Sequence, residues 1–147
     1  MLVKHRRLSS VDLCGLMRVY AQSVGNMTWQ KESAFTEDLQ LFFECDNVFL
    51  ATWVIHGALV SAVRLEPYRD GFLFTCLETA PEHRRNGYAA ALLRAVMAET
   101  SGVYYAHVDK KNKVSLHLHE NLGFYVIMDH AVHVDGSVFS NSFTLKR

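Results

Sequence analysis

The stretch Leu77-Glu78-Thr79-Ala80-Pro81-Glu82-His83-Arg84-Arg85-Asn86-Gly87-Tyr88-Ala89 runs from a strand, through a short basic turn, into a helix. Phe72 to Thr79 has strand character, and Pro81, which has no N–H for a ladder, ends it. From Ala89 the apolar residues Leu92, Leu93, Val96 and Met97 recur at helical spacing and mark one buried face. The first N–H groups of a helix have no partner within the helix and sit at the positive end of its dipole. A glycine beside them lets an anion approach the backbone, so the turn can hold a phosphate or pyrophosphate. Arg84 and Arg85 add positive charge there. An ordinary solvated turn eased by Gly87 is the competing reading. G-x-G-x-x-G and G-K-[ST] are both absent from the turn, so neither a dinucleotide on a Rossmann fold nor a nucleoside triphosphate on a P-loop is indicated.

Upstream of this stretch, Leu2 to Arg7 reads as a strand, and Ser9 is placed to cap a helix carrying Val11, Leu16, Val19 and Tyr20 that fades near Gly25-Asn26. A loop bearing Trp29 leads to a second helix with Phe35, Leu39, Phe42 and Phe43 on one face. Val48 to Ile55, a His56-Gly57 turn and Ala58 to Leu65 form a hairpin; after a turn from Pro67 to Gly71, Phe72 to Thr79 completes a meander. Downstream, Ser101-Gly102 stops the helix, and Val103 to Val108 is a strand. Val114, Leu118 and Leu122 mark a short helix closed by Gly123. Phe124 to Val134 and Val138 to Leu145, around Asp135-Gly136, form a closing hairpin. The order β-α-α-β-β-β-α-β-α-β-β predicts an α/β fold with a mixed sheet.

With 147 residues and neither a Pro-rich nor a Ser/Gly-rich linker, residues 1–147 read as one domain. The 15 basic and 15 acidic residues cancel, which argues against nucleic acid or an anionic membrane as the main partner. No apolar segment is long enough to span a bilayer. The basic start is not followed by a signal-like apolar run, so the expectation is a cytoplasmic protein. Cys14, Cys45 and Cys76 form no C-x-x-C pair and read as small buried hydrophobes in a reducing compartment. Neither His117-x-His119 on a helix nor His130-x-x-His133 in a strand puts both rings on one face, so no metal site is expected.

Arg84-x-x-Gly87-x-Ala89 resembles the pyrophosphate loop [Q/R]-x-x-G-x-[G/A] of the GCN5-related N-acetyltransferase (GNAT) superfamily. A second block, Asn112-Lys113-Val114-Ser115-Leu116-His117-Leu118-His119-Glu120-Asn121-Leu122-Gly123-Phe124, is similar to the family's downstream signature. The resemblance implies splayed central strands, Phe72 to Thr79 and Val103 to Val108, with acetyl-CoA wedged between them as co-substrate. Its pantetheine arm would lie along Leu77, Glu78 and Thr79, and its pyrophosphate on backbone groups of Arg84, Arg85, Asn86, Gly87, Tyr88 and Ala89. Asn112 would hold it from the other side.

The implied activity is direct transfer of an acetyl group to the primary amine of a small-molecule or peptide acceptor, without an acyl-enzyme. The alternative is a non-catalytic acyl-CoA-binding module. Where many members carry a tyrosine that protonates the CoA sulfur, this chain has His119, which as an imidazolium would donate readily. Five residues before Asn112, where one branch resembling ribosomal-protein N-terminal acetyltransferases places a glutamate base, stands His107. Glu78 is the competing base. Trp29 and Tyr20 fall in the helix pair that lines the acceptor side in this family. Members often dimerise, and a homodimer through the last hairpin or a sheet edge is compatible with the resemblance.

Overall fold

The structure, a computed structural model, describes residues 1–26 and 28–147. Its sheet is built from β1 (Leu2–His5), β2 (Phe49–Ile55), β3 (Ala58–Tyr68), β4 (Gly71–Thr79), β5 (Tyr104–Asp109), β6 (Tyr125–Met128) and β9 (Ser142–Lys146). The order across it is β1-β2-β3-β4-β5-β9-β6, and β7 (Ala131–Val132) with β8 (Val138–Phe139) forms a separate two-stranded ribbon. The β4–β5 pair is parallel, and the other ladders are antiparallel. This is the mixed α/β sheet expected.

Helices cover the two faces through separate cores. On one side α4 (Tyr88–Glu99) and α5 (Lys113–Asn121) bring Leu92, Leu93, Val96, Leu116 and Leu122 onto Val63, Leu65, Phe74, Tyr104 and Leu145. On the other, α1 (Leu13–Val19) and α3 (Trp29–Glu44) bury Leu16, Val19, Leu39 and Phe42 against Leu50 and Ala62. Between α1 and α3 lies the one-turn helix α2 (Ala21–Val24), and Tyr20 is the shared junction of α1 and α2.

Several local expectations are corrected. The first strand ends at His5, and Ser9 lies in a 3₁₀ turn, Leu8–Ser10. Asp12 is the cap of α1, its carboxylate accepting from the Gly15 N–H at 3.0 Å. Trp29 is not loop-borne but opens α3 immediately after the Thr28 cap. Pro67 does not begin a turn, because β3 continues to Tyr68. Its missing N–H is tolerated there because β2 pairs with β3 only as far as Leu65.

The closing hairpin is not continuous. β6 pairs with β9, but the chain between them leaves the sheet to make the β7–β8 ribbon, and β9 inserts between β6 and β5. The three cysteines are exposed, not buried: Cys14 on the outer face of α1, Cys45 at the end of α3 and Cys76 on an irregular part of β4.

Candidate active site

The β4–β5 pairing lasts for three positions only, Phe72↔Tyr104, Leu73↔Tyr105 and Phe74↔Ala106. Beyond it β4 stays with β3 (Ala62↔Glu78, Ser61↔Thr79), whereas β5 stays with β9 (His107↔Thr144, Asp109↔Ser142). The sheet therefore opens into a V between residues 75–79 and 107–109. The cause on β4 is a bulge: from Arg64↔Thr75 to Ala62↔Glu78 the chain advances two residues on β3 and three on β4. An extra residue bends and twists its strand away from a neighbour. Cys76, inside the bulge, has φ +52°, a left-handed conformation that L-residues seldom adopt. The Tyr20 hydroxyl donates to the Cys76 carbonyl at 2.6 Å.

At the end of β4 a 3₁₀ turn, Pro81–His83, leads to the basic loop. Arg85 (φ +62°) and Gly87 (φ +75°) are both left-handed, and the Asn86 amide braces the loop by donating to the carbonyls of His83 and Arg84, each at 3.0 Å. Arg84 Nε donates to the Thr79 carbonyl at 3.3 Å, and the Tyr88 and His83 rings meet edge to face. Gly87 is the N-cap of α4, no side chain caps the helix, and no acidic residue lies in its first turn. The first intrahelical bond is Ala91 N–H to the Gly87 carbonyl, so the N–H groups of Tyr88, Ala89 and Ala90 lack helical acceptors. The turn thus has the left-handed glycine, the free N–H groups and the flanking arginines from which the sequence reading expects an anion site.

On the β5 side of the V, the exposed residue Asn112 caps α5: its Oδ1 accepts from the Ser115 N–H at 3.1 Å. Thr79 Oγ1 is 3.1 Å from the Ser61 hydroxyl, which also donates to the Glu78 carbonyl at 2.8 Å.

The ionisable candidates divide between the two faces. His119 is 4% exposed and packs edge to face on Phe124, on the α4–α5 side. Its Nδ1 lies 2.8 Å from the Ser115 carbonyl, which can only accept, so Nδ1 carries the proton and Nε2 is bare. Burial lowers its pKa, only partly opposed by that hydrogen bond. The imidazolium expected of an unperturbed histidine is therefore disfavoured, and the neutral ring presents an acceptor.

His107 lies on the opposite face, half-buried, with its Nε2 3.3 Å from the Tyr68 hydroxyl and its ring 5.1 Å from that of His133. Burial first, then the charges of His133 and Arg69, depress its pKa to about 4. Glu78, on the same face at the bulge, accepts through Oε1 from the Ser23 hydroxyl, and its Oε2 is buried without a partner. Burial raises its pKa against the pull of Arg84.

Tyr20 is 5% exposed, with its hydroxyl committed to the bulge. Trp29, 75% exposed, lines a groove with Leu8, Glu32, Thr36 and Gln40 to which neither β4 nor β5 contributes. Sequence reasoning missed Ser23, Tyr68 and His133. Their partners are 55, 39 and 26 residues away (the last from His133 to His107), and no local pattern signals such contacts.

The profile of the "Acetyltransferase (GNAT) family" matches residues 16–124, which span the bulge, the basic loop and both halves of the V. The chain belongs to the GNAT acetyltransferase family. As such it is an acetyl-CoA-dependent N-acetyltransferase.

Among solved structures, an aminoglycoside 6'-acetyltransferase type Ii is similar at 13% identity with a TM-score of 0.75, over 100% of this chain and 96% of that one. The ribosomal-protein-S18-alanine N-acetyltransferase from Escherichia coli is similar at 17% identity, TM-score 0.67, over 99% of this chain and 92% of its own. The paia N-acetyltransferase from Thermoplasma acidophilum, in complex with coenzyme A, is similar at 13% identity, TM-score 0.67, over 100% of this chain and 98% of its own. At these identities the likeness concerns the fold. A search of curated protein sequences finds no match. Among the described residues no helix of this GNAT chain is long and apolar enough to cross a membrane, and no cluster of three or more metal-ligating side chains occurs.

Proposed function

We propose that this acetyltransferase moves the acetyl group of acetyl-CoA directly to the primary amine of a small-molecule or peptide acceptor within a ternary complex, with Glu78 as the base. The observation that carries the reading is the V between β4 and β5, which ends at an uncapped helix N-terminus. The unpaired strand edges suit the amides of a pantetheine arm along Leu77, Glu78 and Thr79. The N–H groups of Tyr88, Ala89 and Ala90, with Arg84 and Arg85 beside them, suit its pyrophosphate. The exposed amide of Asn112, whose Oδ1 is taken by the α5 cap, suits a hydrogen bond to the same substrate from the β5 side. Two of the structural neighbours, an aminoglycoside acetyltransferase and a ribosomal-protein-alanine acetyltransferase, support an amine acceptor of either size.

An acceptor arriving as an ammonium must lose a proton before its nitrogen can attack the thioester carbon. A general base works best when its pKa lies near the operating pH. His107, depressed to about 4, gains little by taking that proton, whereas Glu78 is shifted upward and has an unpartnered oxygen to receive it. After attack the carbon–sulfur bond breaks and the leaving thiolate takes up a proton. Neutral His119 has its only N–H on the Ser115 carbonyl, so it serves as a ring that shapes the pocket before it serves as an acid.

Calorimetric titration with acetyl-CoA, CoA and ATP, followed by thiol release on adding amines, tests the proposal. Binding of acetyl-CoA with ATP ignored, and amine-dependent release of CoA, are the expected results. Absence of binding to either CoA species removes the assignment of the V. Binding without release for any amine leaves an acyl-CoA-binding module.

A further inference from the structure

Cys76 is the only residue within a strand to adopt the left-handed conformation among the described residues, and its carbonyl is the one that receives the Tyr20 hydroxyl. Three observations make Tyr20 a fixed point. Its ring is buried in the core between α1, α3 and the sheet. It packs on Phe35 at 5.8 Å between centroids, and its backbone is the junction at which α1 stops and α2 begins. Burial first, with Cys76 and Glu78 adding to it, keeps the phenol protonated and hence a donor.

A trans peptide unit is planar, with its C=O and N–H pointing in opposite directions. Anchoring the Cys76 carbonyl on the α1 face therefore turns the Leu77 N–H towards the α4 face, where the Leu77 side chain also packs. We propose that Tyr20 is a positioning residue: by holding the Cys76 carbonyl it aims the Leu77 N–H at the thioester carbonyl oxygen in the V. That donor would meet the oxygen as negative charge develops on it, which is where a fixed dipole contributes most. The proposal rests on acetyl-CoA occupying the V.

The test is Tyr20→Phe, which keeps the ring and removes the donor. Deleting an oxyanion donor outright costs about 10²–10³ in kcat. Releasing its anchor gives an expected fall on the order of 10- to 100-fold, with the KM for acetyl-CoA moving much less. Binding is compared for two inert analogues: the ketone in which CH₂ replaces the sulfur of acetyl-CoA, and its counterpart with CH₂ also in place of the carbonyl. The wild-type protein should prefer the ketone, and Tyr20→Phe should lose most of that preference while binding the carbonyl-free analogue as before.

In ¹⁵N-labelled wild type the Leu77 amide proton should move further downfield with the ketone than with its counterpart. That measurement needs no variant, so it decides the matter even if Tyr20→Phe does not fold. An unchanged preference in a folded Tyr20→Phe, or equal Leu77 shifts with both analogues, overturns the role of Tyr20 and leaves the V as the acetyl-CoA site. Failure of the wild type to bind either analogue overturns the cofactor assignment itself and this inference with it.

Discussion

Replacing Gly87 by alanine isolates the backbone conformation of the proposed anion cradle from its packing. Gly87 has φ +75° and ψ +13°, and a Cβ built on it meets nothing within 4 Å. Gly87→Ala therefore introduces strain without a clash. Holding an alanine in the left-handed region costs about 1–2 kcal/mol. If the alanine keeps that conformation in the unliganded protein, the cost falls on stability, about 3–5 °C in Tm for each kcal/mol in a domain of this size. If the unliganded loop relaxes instead, the cost falls on binding, since the N–H groups must be brought back to converge on the pyrophosphate. Kd for acetyl-CoA then rises by about 5- to 30-fold.

Because both losses draw on one strain energy, their sum stays near 1–2 kcal/mol however it divides. Thermal melting gives the first part. Titration with acetyl-CoA gives the second, and titration with acetylpantetheine, which lacks the pyrophosphate, should show no change. A summed loss above about 4 kcal/mol, the range of clashes and broken networks, would refute the reasoning. So would an affinity for acetylpantetheine that falls in step with that for acetyl-CoA.

Glu78→Gln should lower kcat by about 10²-fold or more while acetyl-CoA binding holds, and should abolish the acid limb of the pH–rate profile; a parallel profile with its acid limb intact moves the base elsewhere. Folded His107 resists protonation down to about 4, whereas the unfolded chain takes up that proton near 6.5, so this residue makes unfolding easier as pH falls between those values. Glu78 and Glu66, raised by burial, act in the opposite sense. The comparison of wild type with His107→Gln therefore isolates the effect: the urea midpoint at about pH 7 minus that at about pH 5 should be lower in the variant, and the same value in both proteins would exclude the histidine. Gly71→Ala would drive its Cβ into the Val103 carbonyl, a backbone atom beside the first β4–β5 pair. A loss of about 3 kcal/mol or more is expected from the melting curve, and a variant as stable as wild type would contradict the close strand approach.

The loop from Arg84 to Ala89 was legible because its conformation is local. A glycine, a helix start and an absent side-chain cap are all written within six residues. The V itself was legible only by resemblance, since nothing in Phe72 to Thr79 alone announces where a ladder will stop. Tyr20 meets the Cys76 carbonyl at the bulge across 56 residues, and Ser23 meets Glu78 across 55. Such contacts exist only after α1 and α2 have packed on the sheet. The cysteines were misplaced because an apolar character says nothing of which turn of a helix, or which side of a bulge, a residue occupies. Asp12 prevailed over Ser9 as a cap because helical geometry begins only at Leu13. His119 was recognised by position, but its charge state follows from a burial that spacing does not reveal.

The insertion of β9 between β5 and β6 has a consequence for how the enzyme comes into being on the ribosome. Strands β1 to β4 can zip together as each leaves the exit tunnel, for every ladder among them joins the free edge of what has already formed. Half of the V is thus in place early. β5, in contrast, has three residue pairs with β4 and five with β9, which is synthesised after every other strand of the sheet. During the interval its outer edge is open to any other unpaired strand, including one from a neighbouring nascent copy. Capacity to bind acetyl-CoA should therefore arise in a single late step, when residues 142–146 slide into the gap and give the second wall of the cleft its shape.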